Sequence, residues 1–288
     1  MGTLSKASIQ TLVDRQGRPW SLNEKLCRGG FGTIYSCAEN DKVVVKTQPR
    51  SDDQLRKEER CYRDLSRSGE ALKYIPGLVT SGVADDLRFI VIERFPCDLQ
   101  RLIDNIQLSK RERCDMARQL LSAIRFIHSF GYSHGDLKAK NVLVRSGGCA
   151  ISLCITDFGL AHKFMEDGVH VSYTPGKLCL HRGTLSFISE DSHIGAIPSR
   201  RSDLENMGWL LIASLFGGVL PWANETGKSP ILSAKRDAKR AIACRESSLF
   251  KKMVPGSHRR LLRYMIAVLE LTYKEEPDYQ DLMLFFEI

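Results

Sequence analysis

One polar stretch constrains the fold more than any other part of the chain. Residues 134–141 read HGDLKAKN, and a DFG tripeptide begins at Asp157. The Asp136 carboxylate can accept a proton from a hydroxyl, and the Lys138 ammonium can neutralise a phosphate. Asn141 and Asp157 offer hard oxygen atoms, the ligands that Mg²⁺ prefers. The pattern therefore predicts a site for chemistry on a phosphate group.

A β-hairpin is predicted between the two halves of this site. Residues 142–144 (VLV) and 151–155 (ISLCI) are short β-type runs on either side of SGG at 146–148. Such runs around a glycine-containing connection are typical of hairpins. The hairpin would hold the two halves of the site at a fixed distance.

The pattern H-x-D-x-K-x-x-N followed by D-F-G resembles the catalytic motifs of protein kinases. The resemblance implies an α+β, bilobal fold with a small β-rich N-lobe and a larger, mainly helical C-lobe, and it implies ATP and Mg²⁺ as cofactors. The expected division is an N-terminal extension at 1–19 and a kinase domain at 20–288, with an N-lobe at about 20–92, a hinge at 93–96 and a C-lobe at 97–288.

A glycine-rich turn lies where the resemblance requires a nucleotide-binding loop. Residues 26–35 read LCRGGFGTIY and place Gly29, Gly30 and Gly32 before an alternating strand. Glycine has no Cβ, so backbone N–H groups can approach phosphate oxygens closely. Gly29 and Gly32 match the second and third glycines of the kinase pattern G-x-G-x-x-G. Cys27 stands at the first, a departure that would tilt the loop or loosen nucleotide binding.

A lysine and a glutamate that follow this turn in the sequence are expected to act together. The run VVVK ends at Lys46 and matches the V-A-I-K motif, whose lysine holds the α- and β-phosphates of ATP. Residues 54–65 are compatible with a helix, and in a kinase its glutamate pairs with that lysine. Glu58 and Glu59 compete for this role. We choose Glu58, because Glu58 and Tyr62 lie one helical turn apart and both can face inward.

The hinge is predicted after an apolar strand at 87–92, where Pro96 interrupts regular structure. The resemblance implies that backbone groups of Glu93 and Phe95 meet the adenine edge. Ile92 would lie behind the adenine.

The region after the hinge has helical periodicity. A wide apolar stripe predicts a scaffold helix that leads to His134; its members are Met116, Leu120, Ile124 and Ile127. Gly135 then replaces the arginine that is usual in H-R-D. That arginine commonly binds a phosphate on the activation loop, so constitutive activity is predicted.

Residues 160–182 lack strong periodicity and are expected to form the activation segment. Thr184, which follows it, is expected to touch the loop near Asp136 and Lys138. The pair Lys138 and Thr184 favours transfer to serine or threonine over tyrosine.

The A-P-E triplet of many kinases is absent, and the run SRRSDLE at 199–205 opens a helix that we predict at 206–216. Asp203 is expected to hold the backbone of the catalytic loop. An acidic residue there would also be stabilised by the helix dipole, and both interpretations can hold.

Further motifs narrow the resemblance. The chain carries GTLSF at 183–187, SEDSHIG at 189–195, SRRSDLENMG at 199–208 and LPW at 220–222. This set is similar to the casein kinase one superfamily, and HGDLKAKN in place of an H-R-D motif looks like its vaccinia-related kinase branch. The compact length, without a long basic or membrane-anchoring tail, resembles the poxvirus early serine/threonine kinases. The resemblance covers about 20–279.

The resemblance also implies roles and partners. Asp157 and Asn141 would hold Mg²⁺, Asp136 would orient the acceptor hydroxyl and take its proton, and Lys138 would stabilise the γ-phosphoryl charge. The implied protein substrate is the barrier-to-autointegration factor, which bridges DNA. Its binding to DNA would be weakened by the negative charge that phosphorylation adds. The implied setting is viral DNA replication in the host cytoplasm, with a monomeric enzyme.

Composition excludes some other classes of protein. No stretch approaches the roughly 20 apolar residues of a membrane span, and residues 1–10 lack an apolar signal core, so export is not expected. Nine cysteines are scattered without a C-x-x-C motif. Reduced thiols are therefore favoured over a disulfide framework or a zinc site.

The net charge of +8 favours acidic partners. Two basic groups occur late in the chain; they are Lys235, Arg236, Lys239 and Arg240, and then Arg259, Arg260 and Arg263. Two interpretations of each group are open. It is a docking surface, on which nucleic acid or a DNA-bound protein would bind, or it is a solvated basic face of a helix.

Two other functions remain open. A pseudokinase would use the fold to bind partners without phosphoryl transfer, and the departures at Cys27 and Gly135 favour it. A small-molecule phosphotransferase shares the core but usually lacks the Gly-Thr and SRRSDLE elements. The retained Lys46, Asp136 and Asp157 favour an active protein kinase.

Overall fold

The computed structural model describes residues 10–30, 32–147, 150–179, 182–244, 248, 252–253 and 259–287. The chain forms two compact units. The first comprises Met1–Leu72 with Pro76–Phe95, and the second comprises Lys73–Ile75 with Pro96–Ile288.

The first unit is built on one antiparallel sheet. Its strands are Thr11–Val13 (β1), Pro19–Gly29 (β2), Gly32–Cys37 (β3), Val43–Pro49 (β4), Leu78–Ala84 (β5) and Leu87–Glu93 (β6). They pair in the order β1-β2-β3-β4-β6-β5. Leu12 of β1 lies opposite Trp20 of β2, so the sheet begins within the segment 1–19 that we expected to be an extension.

The core of the first unit lies on one face of the central strands. Val43 and Val45 of β4 are buried with Phe89 and Val91 of β6, and these two strands are paired directly. Successive side chains on a strand point to opposite faces, which turns Lys46 away from this cluster. Full burial of each such apolar side chain stabilises the fold by about 1.5–3 kcal/mol.

The helix predicted at 54–65 is confirmed as α1, Gln54–Leu65. Leu55, Tyr62 and Leu65 are fully buried and recur at helical spacing. Glu58 and Glu59 are buried beside them, so both carboxylates need polar partners inside the unit.

The second unit is mainly helical. Its α-helices are Leu99–Asn105 (α2), Lys110–Ser129 (α3), Glu190–His193 (α4), Arg200–Leu210 (α5), Lys228–Ala243 (α6), Arg259–Glu270 (α7) and Tyr279–Leu284 (α8). Its strands are Cys97–Asp98 (β7), Tyr132–Ser133 (β8), Val142–Gly147 (β9), Ala150–Ile155 (β10), His162–Lys163 (β11), Met165–Glu166 (β12) and Val169–His170 (β13). None of the described helices has the length and apolar character needed to cross a bilayer.

The scaffold helix predicted before His134 is confirmed as α3. Ser109 and Glu112 form a reciprocal capping box at its start, which satisfies two backbone N–H groups that have no partner within the helix. The predicted apolar stripe is buried along its length. The helix therefore delivers the chain to β8 and to the HGD loop, the name used here for residues 134–141.

The predicted hairpin is also confirmed. Ile155 pairs with Val142 and Leu153 with Val144 across β9 and β10. Gly148, in the predicted connection, lies outside the described residues.

The helix predicted at 206–216 is wrong in its start. α5 begins at Arg200, and its continuation Leu211–Leu215 is a π-helix. Within the polar run, Ser199 is the N-cap and residues 200–205 are helical, because the two arginines have buried partners. Arg200 lies 4.7 Å from the ring centroid of Phe164, and Arg201 bonds Asp191 through two nitrogens.

Candidate active site

Both carboxylate oxygens of Asp136 are fixed in the HGD loop. Oδ1 accepts a hydrogen bond from the Thr184 backbone N–H at 2.7 Å. Oδ2 accepts from Lys138 Nζ at 2.7 Å and from Asn141 Nδ2 at 3.3 Å. An ionised carboxylate only accepts hydrogen bonds, so these three donors set the orientation in which Asp136 can receive a proton.

Asp203 holds the backbone of this loop, as expected. Its carboxylate accepts from the His134 N–H at 2.6 Å and from the Gly135 N–H at 2.9 Å. His128 Nε2 lies 3.0 Å from the same carboxylate, and His128 Nδ1 lies 2.5 Å from the Tyr279 hydroxyl. Sequence analysis missed His128 and Tyr279, because 151 positions separate them and no local pattern links them.

The histidine of the loop joins it to the DFG segment. His134 Nδ1 accepts from the Asp136 N–H at 3.2 Å, and Nε2 lies 2.9 Å from the Thr156 carbonyl. This network assigns the ring proton to Nε2. The His134 ring packs edge-on against Phe158 at 5.3 Å.

Asn141 and Asp157 lie on neighbouring segments, because the Thr156 N–H donates to the Asn141 carbonyl at 3.0 Å. The Asn141 side-chain amide donates through Nδ2 to the Asp136 carbonyl at 2.9 Å. Its Oδ1 is therefore the atom able to ligate a cation. Mg²⁺ takes one or two protein oxygens and completes its shell with phosphates and water. These two residues fit such a site. Over the described ranges, no three His, Cys, Asp or Glu side chains form a metal-binding group.

Thr184 touches the loop as expected, since its hydroxyl oxygen accepts from Lys138 Nζ at 3.0 Å. Gly183 permits this approach. Its φ is +102°, and a Cβ there would lie 2.6 Å from Ile188 Cγ2 and 3.2 Å from Asp136 Oδ1. A side chain at this position would therefore displace Thr184 from Asp136.

The first basic group is only partly a solvated helix face. That interpretation is wrong for Lys235 and Lys239, which are buried and half-buried, and is confirmed for the exposed Arg236 and Arg240. The docking interpretation stays a prediction. Lys235 is fully buried. Arg236 and Lys239 bond the two carboxylate oxygens of Glu190 at 2.7 and 3.0 Å, and Arg240 donates to Asp237. In the second group, Arg260 and Arg263 are exposed, and the side chain of Arg259 lies outside the described residues.

In the first unit, the structure brings Lys46 and Glu58 together. Lys46 Nζ lies 2.6 Å from Glu58 Oε2, and both side chains are less than a tenth exposed. Glu59 instead accepts from Ser81 Oγ at 2.6 Å and from Arg63 Nε at 3.1 Å. The choice of Glu58 as the partner of Lys46 is confirmed.

The glycine turn joins β2 to β3, where Gly29 lies opposite Gly32. Gly32 has φ +124°, and a Cβ there would lie 2.3 Å from the Thr47 carbonyl oxygen, so only glycine fits. A Cβ at Gly30 would meet no atom of the described residues within 4 Å, its chain neighbours aside, and Phe31 lies outside the described residues.

The predicted adenine contacts Glu93 and Phe95 lie at the end of the first unit. Glu93 closes β6, and its N–H donates to the Gly77 carbonyl at 2.9 Å. Phe95 is the last residue of the unit. Their contact with adenine remains a prediction.

Comparison with known proteins identifies the family. A model of the protein kinase domain matches residues 20–272. The B1 kinase of monkeypox virus is 34% identical over 289 residues, covering 94% of this chain and 93% of that protein. The B1 kinase of vaccinia virus (strain Western Reserve) is 33% identical over 289 residues, with 94% of each chain covered.

A solved structure of vaccinia related kinase 3 superposes with a TM-score of 0.83 at 27% identity, covering 99% of this chain and 91% of that one. The predicted α+β fold, with a β-sheet N-lobe and a helical C-lobe, is thereby confirmed. The chain belongs to the protein kinase family and is a serine/threonine protein kinase related to the poxvirus B1 kinases.

Proposed function

We propose that this kinase phosphorylates a DNA-associated protein, with the barrier-to-autointegration factor as its substrate, and that it supports viral DNA replication in the host cytoplasm. The observation that carries the catalytic part is Asp136, whose two oxygens are oriented by Thr184, Lys138 and Asn141. The relation to the poxvirus B1 kinases supports the choice of substrate.

The C-lobe residues act on the acceptor and the transferring group. Asp136 orients the serine or threonine hydroxyl and takes its proton. Lys138, already bonded to Asp136, stabilises charge on the γ-phosphoryl group. Asn141 and Asp157 hold Mg²⁺, which when bound neutralises phosphate charge. Positioning of the reactants and electrostatic stabilisation of the transition state account for the rate acceleration, because phosphoryl transfer needs little covalent chemistry from the protein.

The N-lobe residues hold ATP. Lys46, oriented by Glu58, binds the α- and β-phosphates. The backbone N–H groups of the turn at Gly29, Gly30 and Gly32 cover the phosphates. Backbone groups of Glu93 and Phe95, in the proposed hinge at 93–96, bind adenine. The kinase domain is proposed to span 20–288 and to act as a monomer.

Transfer of labelled γ-phosphate from ATP to purified barrier-to-autointegration factor tests the proposal, with casein as a general acceptor and with Mg²⁺ or EDTA present. We expect Mg²⁺-dependent transfer to the barrier-to-autointegration factor at a higher kcat/KM than to casein. Transfer to casein alone would refute the substrate and keep the kinase. ATP binding without transfer to either acceptor would favour a pseudokinase scaffold.

A further inference from the structure

One lysine of the second unit is buried, and no carboxylate of the residues that the structure describes lies within bonding distance of it. Lys235 of α6 is fully buried. Its Nζ donates to the Leu185 carbonyl at 2.8 Å and to the Ile188 carbonyl at 2.5 Å, and it lies 5.3 Å from the ring centroid of Trp222. Burying an ammonium group costs several kcal/mol unless it is well coordinated, so these contacts are its compensation.

The two carbonyls belong to one short segment, residues 183–188, called here the substrate loop. The carbonyl between them, that of Ser186, accepts from Trp222 Nε1 at 2.9 Å. Lys235 and Trp222 thus bond three of the six backbone carbonyls of this loop.

The other side of the same loop reaches the catalytic residues. The Thr184 N–H and hydroxyl bond Asp136 and Lys138. The Phe187 and Ile188 N–H groups donate to the Thr184 carbonyl at 2.8 and 3.0 Å. A shift at Leu185 or Ile188 is therefore passed to Thr184 through one turn of backbone.

Neighbouring charges keep α6 in place. Lys239, one turn after Lys235, bonds Glu190 at 3.0 Å and Glu205 at 3.3 Å. Glu190 opens α4, two residues after the end of the substrate loop. Helix α6 thus holds both the loop and the start of α4.

We infer that Lys235 is a positioning residue, which fixes the substrate loop so that Thr184 orients Asp136 and Lys138 toward the protein acceptor. The inference rests on the proposed roles of Asp136 and Lys138.

The test compares the full-length wild type with Lys235→Met, which keeps the length of the side chain and removes its donors. Lys228→Met is the matched control, because Lys228 is an exposed lysine of the same helix. Rates of transfer to casein are normalised to the concentration of ATP-binding sites. We expect Lys235→Met to lower kcat/KM for casein at least tenfold and to leave KM for ATP within twofold, while Lys228→Met stays within twofold of wild type on both.

Amide hydrogen exchange separates positioning from general loss of structure. In Lys235→Met, the Phe187 and Ile188 amides should exchange at least tenfold faster, and the amides of α3 should keep their wild-type rates. Unchanged loop exchange with unchanged kcat/KM would overturn the inference. Faster exchange throughout the unit, with kcat/KM per ATP-binding site unchanged, would show a purely structural role and overturn it too. If the wild type transfers no phosphate, the proposed function fails, and the exchange experiment still decides whether Lys235 holds the loop.

Discussion

At the scale of single residues, Gly135 occupies a backbone position that excludes the arginine of an H-R-D motif. Its φ is +78°, and a Cβ there would lie 2.7 Å from the Leu160 carbonyl oxygen. Its N–H is also committed to Asp203. The glycine is therefore built into the loop geometry, and an arginine cannot be restored without moving the backbone.

Gly135→Ala is predicted to destabilise the fold by about 2–4 kcal/mol, because left-handed backbone strain of about 1–2 kcal/mol is joined by a steric clash. Its kcat should fall as Asp136 shifts. Gly168→Ala is the control, since Gly168 has the same φ of +78° and no atom of the described residues lies within 4 Å of its Cβ position. Urea unfolding and kinase assays measure both. Equal losses of stability in the two variants would contradict the clash.

The contacts of a site residue can be predicted from sequence where its partners lie in the same local motif. They cannot where the partners are brought to it by the burial of a distant segment. Asp136, Lys138 and Asn141 lie in one short motif, and the structure brings them together. The positioning contacts of Lys235 were missed, because its i, i+4 pattern of basic residues is also that of a solvated helix. Its burial depends on the loop at 183–188, about 50 positions away in the chain.

At the scale of elements, α1 separates two adjacent glutamates into different roles. Glu58 bonds Lys46 at 2.6 Å, whereas Glu59 bonds Ser81 and Arg63. Adjacent residues on a helix lie about 100° apart around its axis, so the two carboxylates cannot serve the same partner equally.

Glu58→Gln is predicted to lower kcat/KM for ATP at least tenfold, because the Lys46 ammonium loses the charged carboxylate that orients it. The loss corresponds to at least about 1.4 kcal/mol. Glu59→Gln should lower thermal stability and keep kcat/KM for ATP within about threefold. Steady-state kinetics at varied ATP, with unfolding curves for both variants, provide the test. A larger effect on ATP use in Glu59→Gln than in Glu58→Gln would reverse the assignment.

Among the elements, α1 and the β9–β10 hairpin were predictable because their local patterns agree with their tertiary setting. The start of α5 was not, because the run 199–205 has a polar composition. Arg200 packs against Phe164 and Arg201 bonds Asp191, so tertiary partners rather than local hydrophobicity make that run helical.

At the scale of the whole molecule, Lys235 links stability to pH. Burial lowers the pKa of Lys235 from 10.5 to about 7; among its charged neighbours Glu205 opposes this shift and Lys239 adds to it. Between these two pKa values, the unfolded chain binds more protons at this residue than the folded chain does. The contribution of Lys235 to the free energy of unfolding therefore rises with pH over that interval.

From pH 7 to pH 8.5, the free energy of unfolding of the wild type should increase relative to that of Lys235→Met by about 1–2 kcal/mol. Urea unfolding at several pH values in this window measures the difference, and the upper limit keeps the assay below the ordinary thiol pKa of 9.0. Glu205 and Lys239 are present in both proteins. Parallel pH profiles would contradict the lowered pKa of Lys235.

The proposed role of Asp136 is to orient the acceptor hydroxyl and take its proton during phosphoryl transfer, and Asp136→Asn tests this role most directly. Asparagine keeps the shape of the side chain but cannot take the hydroxyl proton. We predict that transfer to casein falls at least about a hundredfold, while the dissociation constant for ATP·Mg²⁺ stays within about threefold of wild type. Wild-type turnover in the folded Asp136→Asn protein would contradict this role of the Asp136 carboxylate.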